Sequence, residues 1–280
     1  MFLFAPFRWA WGILVTFVLW LGRLWQYLIV EQWQKIHEEM DPARVKKVHY
    51  LGPAVMCWIA VALTFNEYYG GRNTAVYKWF LKVLPSDHQY TAIYSNAYWA
   101  LSCSVAYFIL PSILIILTPG DRIRDYGLKL KGFFSHIWIY VLLYMIVMPA
   151  VIAVSYMPSF QGTYPFYYLA DRSWLDLGLW WLFYGIQFFC LEFFFRGYFL
   201  HGLKRDVGFH AIFFSALPYC MIHFGKPMLE TLGAIIAGVV LGTLSLRTRS
   251  IWSGVLIHVS VAYSMDLLAL WQKGKISVFM

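Results

Sequence analysis

Long apolar runs, broken by short polar stretches, cover most of the chain. A membrane-crossing helix needs about 20 mostly apolar residues, and several runs come near that length. The first extends from Trp9 to Val30 and carries Arg23. The second, Tyr50 to Phe65, is short and ends at Asn66 and Glu67. The third runs from Tyr94 to Leu117 and contains Pro111, which predicts a kink. The fourth runs from Phe133 to Val154, with Pro149 near its end. The fifth starts at Trp174 and continues to Leu203, about 30 residues, so it must tilt, kink or protrude. His210–Phe224, Leu229–Leu246 and Ile251–Leu270 follow. Between the runs, NEYYGGRNTAVYKWFLKVLPSDHQ and SYMPSFQGTYPFYYLADRS are rich in aromatics and read as interface-lying segments. The expected fold is all-α: a polytopic membrane helix bundle of about eight transmembrane helices.

Composition and charge narrow the function classes. Charged residues make up 13% of the chain, against roughly 25% in ordinary soluble domains, and mean hydropathy is +0.60. No separate soluble catalytic module is expected. The net charge of +8 sits in short loops rather than in a basic cluster interleaved with exposed aromatics. It therefore points to topology and anionic headgroups of the lipid bilayer, and no nucleic acid is expected as a partner. Loops after odd-numbered runs hold twelve Lys and Arg and the opposite side eight, which favours odd loops in the cytoplasm. The first run is too long for a cleavable signal and reads as a retained span. The expected location is a multi-pass integral protein of a bacterial cytoplasmic membrane. Cys57, Cys103, Cys190 and Cys220 lie in apolar runs without metal-like spacing and read as buried small hydrophobes.

Ionisable residues at membrane depth are expensive and need partners. Apart from Arg23, they gather in the last 90 residues: Glu192, Arg196, His223, Glu230, His258 and Asp266. This clustering predicts a polar cavity in the C-terminal half. Glu192 and Arg196 lie four apart in FFCLEFFFRGYF and share a helix face. An internal ion pair that stitches the bundle is the simplest reading of that pair. Two histidines on separate helices, His223 and His258, add the means for chemistry. A carboxylate and imidazoles can orient a water and take its proton. The same Glu192, His223 and His258 can also ligate zinc with one open position, or the second imidazole can donate to an oxyanion.

The ordered set Glu192-Phe-Phe-Phe-Arg196-Gly197, Tyr219-x-x-x-His223 and then His258 resembles the CPBP family of intramembrane proteases. That family includes CAAX prenyl endopeptidases and bacteriocin-immunity (Abi) proteins, and its motifs are written E-E-x-x-x-R, F-x-x-x-H and H-x-x-x-N. DRIRDYGLKLKGF resembles the short element ahead of the family core, and HFGKPMLETLGAIIAGVVLGTLSLRTRSIWSGVLIH resembles the linker between the histidines. The resemblance implies residues 1–119 as N-terminal scaffold helices and 120–271 as the protease-like core. It implies an endopeptidase acting near the membrane on a lipidated peptide or sorting-signal-bearing membrane protein, with Glu192, Arg196, His223 and His258 as its catalytic set and zinc as a candidate cofactor.

The chain departs from the family pattern at Leu191, where the first glutamate is expected, and at Ala262, where Asn is expected. Adjacent helical residues differ by about 100° around the axis, so Glu192 cannot occupy the missing position. Glu230 and Asp266 are the candidate substitutes. The departures motivate a second reading, a catalytically degraded relative that binds, protects or scaffolds a membrane partner; a small transporter using the polar cluster as a relay is a third. Gly238-x-x-x-Gly242 predicts close helix packing. His201 and His210 read as surface or interface residues, and His136 and Asp176 as helix-end residues.

Overall fold

In a bilayer only a self-bonded backbone is tolerated, and the apolar runs accordingly fold as helices. A computed structural model describes residues 5–38, 51–71, 74–83, 91–130, 133 and 137–276. No strand occurs among the described residues; one antiparallel bridge joins Leu128 to Ser250. The helices are α1 (Ala5–Trp25), α2 (Glu31–Glu38), α3 (Leu51–Phe65), α4 (Ala75–Val83) and α5 (Thr91–Leu117). They continue as α6 (Ile137–Ser155), α7 (Pro158–Thr163), α8 (Trp174–Glu192), α9 (Leu200–Val207), α10 (Ala211–Met221), α11 (Met228–Thr248) and α12 (Trp252–Gln272).

The eight expected spans reduce to five helical runs long and apolar enough to cross a membrane, among the described residues. Two causes account for the difference. The fifth and sixth runs join into one 48-residue helical path, Trp174–Met221. α3 has 15 residues, and the described side chains of the first run give the apolar stretch Val15–Val30.

The middle of that long path is wound as a π-helix, Phe193–Phe199, and all seven of its residues are buried. Its aromatic rings spread to different neighbours. Phe193 packs edge-on against Phe108 and Phe194 stacks on Tyr107, both in α5, while Phe195 meets Tyr219 of α10. A widened turn disturbs the regular carbonyl pairing. Ser215 of α10 donates to the Phe195 carbonyl at 3.1 Å, and Ser245 of α11 donates to that of Arg196 at 2.8 Å. Sequence places these serines in apolar helices; the packing gives them acceptors.

Small residues set the closest approaches. A Cβ at Gly238 would lie 3.0 Å from Ala216 Cβ, and one at Gly242 would lie 3.2 Å from Ile212 Cγ2. The Gly-x-x-x-Gly spacing thus lets α11 lie tightly on α10. The element Tyr126–Leu128 crosses the start of α12, where Ile251 N–H donates to the Gly127 carbonyl at 2.9 Å. Cys103 and Cys190 are buried as expected, whereas Cys57 is exposed on α3 and Cys220 is only half-buried. His201 is buried at 3% exposure against Tyr126, not at the surface, because α9 turns its apolar side toward α3. His210 is exposed as expected, and His136 lies outside the described residues.

Candidate active site

Glu192 ends α8 and Arg196 follows within the π-wound turn, so both leave the path where it is most deeply packed. Glu192 is 0% exposed and Arg196 1%. Burial of either charge alone would be prohibitive, so each needs a partner. Arg196 Nη1 lies 3.5 Å from Glu192 Oε1. The guanidinium also sits over the Tyr219 ring, 3.8 Å from its centroid, a cation–π contact made stronger by the absence of water.

The second partner comes from α12. His258 Nδ1 lies 2.7 Å from Glu192 Oε1, close enough to share a proton although the angle falls short of a well-aligned hydrogen bond. Gly254, one turn earlier, opens the space for the carboxylate: a Cβ there would stand 1.9 Å from Glu192 Oε2. Phe188 stacks flat on the His258 ring at 5.2 Å and 6°. A carboxylate accepts only, so Nδ1 carries the proton. In the neutral ring Nε2 then accepts, and Tyr219 Oη lies 2.6 Å from it. Glu192, His258 and Tyr219 form one continuous polar chain through the bundle.

Tyr219 also reaches the other histidine. His223 Nδ1 is 2.8 Å from the Tyr219 carbonyl, and the two rings meet edge-on at 4.8 Å. A carbonyl accepts only, which places the His223 proton on Nδ1 and leaves Nε2 with a free lone pair. His223 stands in the turn after α10 and is half-buried. Burial, with Lys226 adding repulsion, pulls its pKa down to about 3, so the ring is neutral at ordinary pH. The cluster therefore runs from a sealed carboxylate outward: the His258 side chain is 16% exposed, and His223 is partly open.

All four residues expected to act together, Glu192, Arg196, His223 and His258, thus join one cluster. The two substitutes are engaged by other partners. Glu230, in the first turn of α11, binds Lys226 Nζ at 2.7 Å and accepts from Tyr164 Oη at 2.5 Å. Lys226 in turn lies over Phe166 at 5.4 Å. Asp266 is fully buried. Its Oδ2 accepts from the indoles of Trp180 at 2.7 Å and Trp181 at 3.2 Å, holding α12 to α8. Leu191 faces the apolar core, and Ala262 packs with Ile93, Trp180 and Phe188. Asp176 lies in the first turn of α8, at a helix end as expected, and Ser173 is the cap. The Asp176 N–H donates to Ser173 Oγ, and its carboxylate accepts from Arg172 and Tyr167.

The donor set does not fit zinc. No group of three His, Cys, Asp or Glu is arranged to hold a metal among the described residues. His258 spends one nitrogen on Glu192 and the other on Tyr219, so it offers no lone pair to a centre shared with His223. Sequence reasoning gives Tyr219 no role. The available signal is a hydroxyl within an apolar helix, which demands a partner when buried.

Residues 173–264 match the family model described as type II CAAX prenyl endopeptidase Rce1-like. No curated protein and no solved structure matches the chain. The matched third of the chain contains every member of the cluster.

Proposed function

From the match of residues 173–264 to the type II CAAX prenyl endopeptidase family model, we propose that the chain is an intramembrane endopeptidase. Its substrate is a lipidated or sorting-signal-bearing membrane protein, cleaved at a peptide bond near the bilayer surface. The observation that carries this reading is the meeting of Glu192, His258 and His223 about Tyr219, with a sealed charge on one side and a neutral imidazole open on the other.

His223 serves as the base. Its free Nε2 accepts a proton from water as the water oxygen attacks the scissile carbonyl, and returns that proton to the departing amine. Glu192 is too deep to meet the water. It orients His258 instead through Nδ1, and the ring donates to the tetrahedral oxyanion from Nε2 when that nitrogen carries a proton. In the resting arrangement Nε2 is taken by Tyr219, so that donation requires the substrate oxygen to displace the phenol. Arg196 balances the Glu192 charge and clamps Tyr219.

The test is cleavage in membranes of candidate lipid-anchored or C-terminally tagged substrates. Wild type is compared with Glu192→Ala, His223→Ala and His258→Ala at matched expression. Cleavage by wild type that all three variants lose supports the reading; cleavage that survives His223→Ala refutes the assigned base. A second reading, a family member that binds or scaffolds a membrane partner without cleaving it, is favoured by one observation. Leu191 and Ala262 both lie in apolar packing. It predicts that no substrate is cut and that His258→Ala retains partner binding.

A further inference from the structure

The Tyr219 side chain touches more of the cluster than any residue assigned from sequence. Its ring lies under Arg196, 3.8 Å from the guanidinium carbon, and edge-on to both Phe195 and His223. These contacts pin the ring from three directions. Its hydroxyl stands 2.6 Å from His258 Nε2, and the residue is 2% exposed, so no bulk water can take the hydroxyl's place.

Two polar contacts, one at each nitrogen, hold the orientation of His258. An imidazole flipped by 180° about its Cβ–Cγ bond fills nearly the same space but exchanges nitrogens for carbons. Stacking on Phe188 cannot tell the two apart, because a flat ring contact is blind to which edge carries the nitrogen. Glu192 selects one edge, through Nδ1. On the far edge the choice is between a satisfied and an orphaned buried acceptor. Ala262, one turn further along α12, brings only a methyl group and packs into an apolar cluster. The hydroxyl must therefore come across from α10.

We propose that Tyr219 is a positioning residue: its hydroxyl holds His258 in the Nδ1–H tautomer with that nitrogen against Glu192. A phenylalanine would keep the ring contacts to Arg196 and His223 and lose the hydroxyl's contacts alone, those with His258 Nε2 and with the Arg196 guanidinium. The role in cleavage rests on the endopeptidase reading; the effect on His258 does not.

The experiment uses the full chain in nanodiscs with ¹⁵N-labelled histidine, His258 signals being assigned by their loss in His258→Asn. In Tyr219→Phe, kcat is expected to fall roughly 10- to 100-fold with KM changed by less than about twofold. The His258 Nε2 resonance should move and a second tautomer should appear. Unchanged His258 signals overturn the proposal whatever happens to the rate. If wild type cuts no substrate, the endopeptidase reading falls and the nitrogen spectra alone decide the role of Tyr219. If Tyr219→Phe does not accumulate folded, 3-fluorotyrosine at 219 keeps the hydroxyl and makes it a stronger donor. It must then shift the Nε2 resonance, and an unmoved resonance refutes the proposal.

Discussion

Neutralising Glu192 tests the charge logic of the site most directly. Glu192→Gln keeps the volume and one acceptor oxygen but leaves Arg196 as an uncompensated cation, 1% exposed at the centre of the bundle. At the 3.5 Å separation of the pair and an effective dielectric of about 20, the lost attraction is about 5 kcal/mol. Breaking one half of a buried pair costs about 3–5 kcal/mol in proteins generally. The predicted loss is therefore about 3–5 kcal/mol, comparable with much of a domain's total stability. Arg196→Met should cost a similar amount. The double variant Glu192→Gln/Arg196→Met buries no charge and should return to within about 1–2 kcal/mol of wild type, since an apolar replacement of a buried pair is often close to neutral. Reversible unfolding in mixed micelles, run as a double-mutant cycle, measures the coupling. Additive single losses, or a Glu192→Gln variant within about 1 kcal/mol of wild type, would show that the two charges do not compensate one another.

Three further outcomes follow from the packing. Gly254→Ala places a methyl group 1.9 Å from Glu192 Oε2, so it should destabilise the chain by about 1–3 kcal/mol and lower cleavage by shifting the carboxylate off His258; equal Tm and rate would refute it. Asp266→Leu strands the indole N–H of fully buried Trp180 and should cost about 1–3 kcal/mol, read by thermal melts and near-UV circular dichroism. Asp266→Asn keeps an acceptor and should cost less. The His223 pKa, depressed to about 3 in the folded chain, lies below the unfolded value of about 6.5. Between those values the unfolded state binds more protons, so stability should fall as pH drops through that window. His223→Gln should flatten this part of the pH–stability curve, and an unchanged slope would contradict the assignment.

Much of the cluster's membership is legible in the amino-acid order alone. A charged residue in lipid has no cheap position, so Glu192, Arg196, His223 and His258 stand out against the apolar runs, and all four meet. Asp266, two turns beyond His258, reads as a candidate substitute, yet Trp180 and Trp181, distant in sequence, supply its buried partners. Glu230 stands close to His223 along the chain, but Lys226 and Tyr164 engage both of its oxygens.

The limit between sequence and structure is one of range. Hydrophobicity and backbone self-bonding are local properties, so the amino-acid sequence by itself determined an all-α membrane bundle, its strongest spans and the list of costly polar residues. It could not count the spans, because whether two apolar runs join depends on how the residues between them pack. Only the tertiary structure decided which face of each helix meets which neighbour. That decision buries Glu192 behind His258, spends the far nitrogen of His258 on Tyr219 and leaves His223 as the imidazole with a nitrogen to spare. Such pairings join residues tens of positions apart, and their geometry depends on angstrom-scale approaches like the one Gly254 permits.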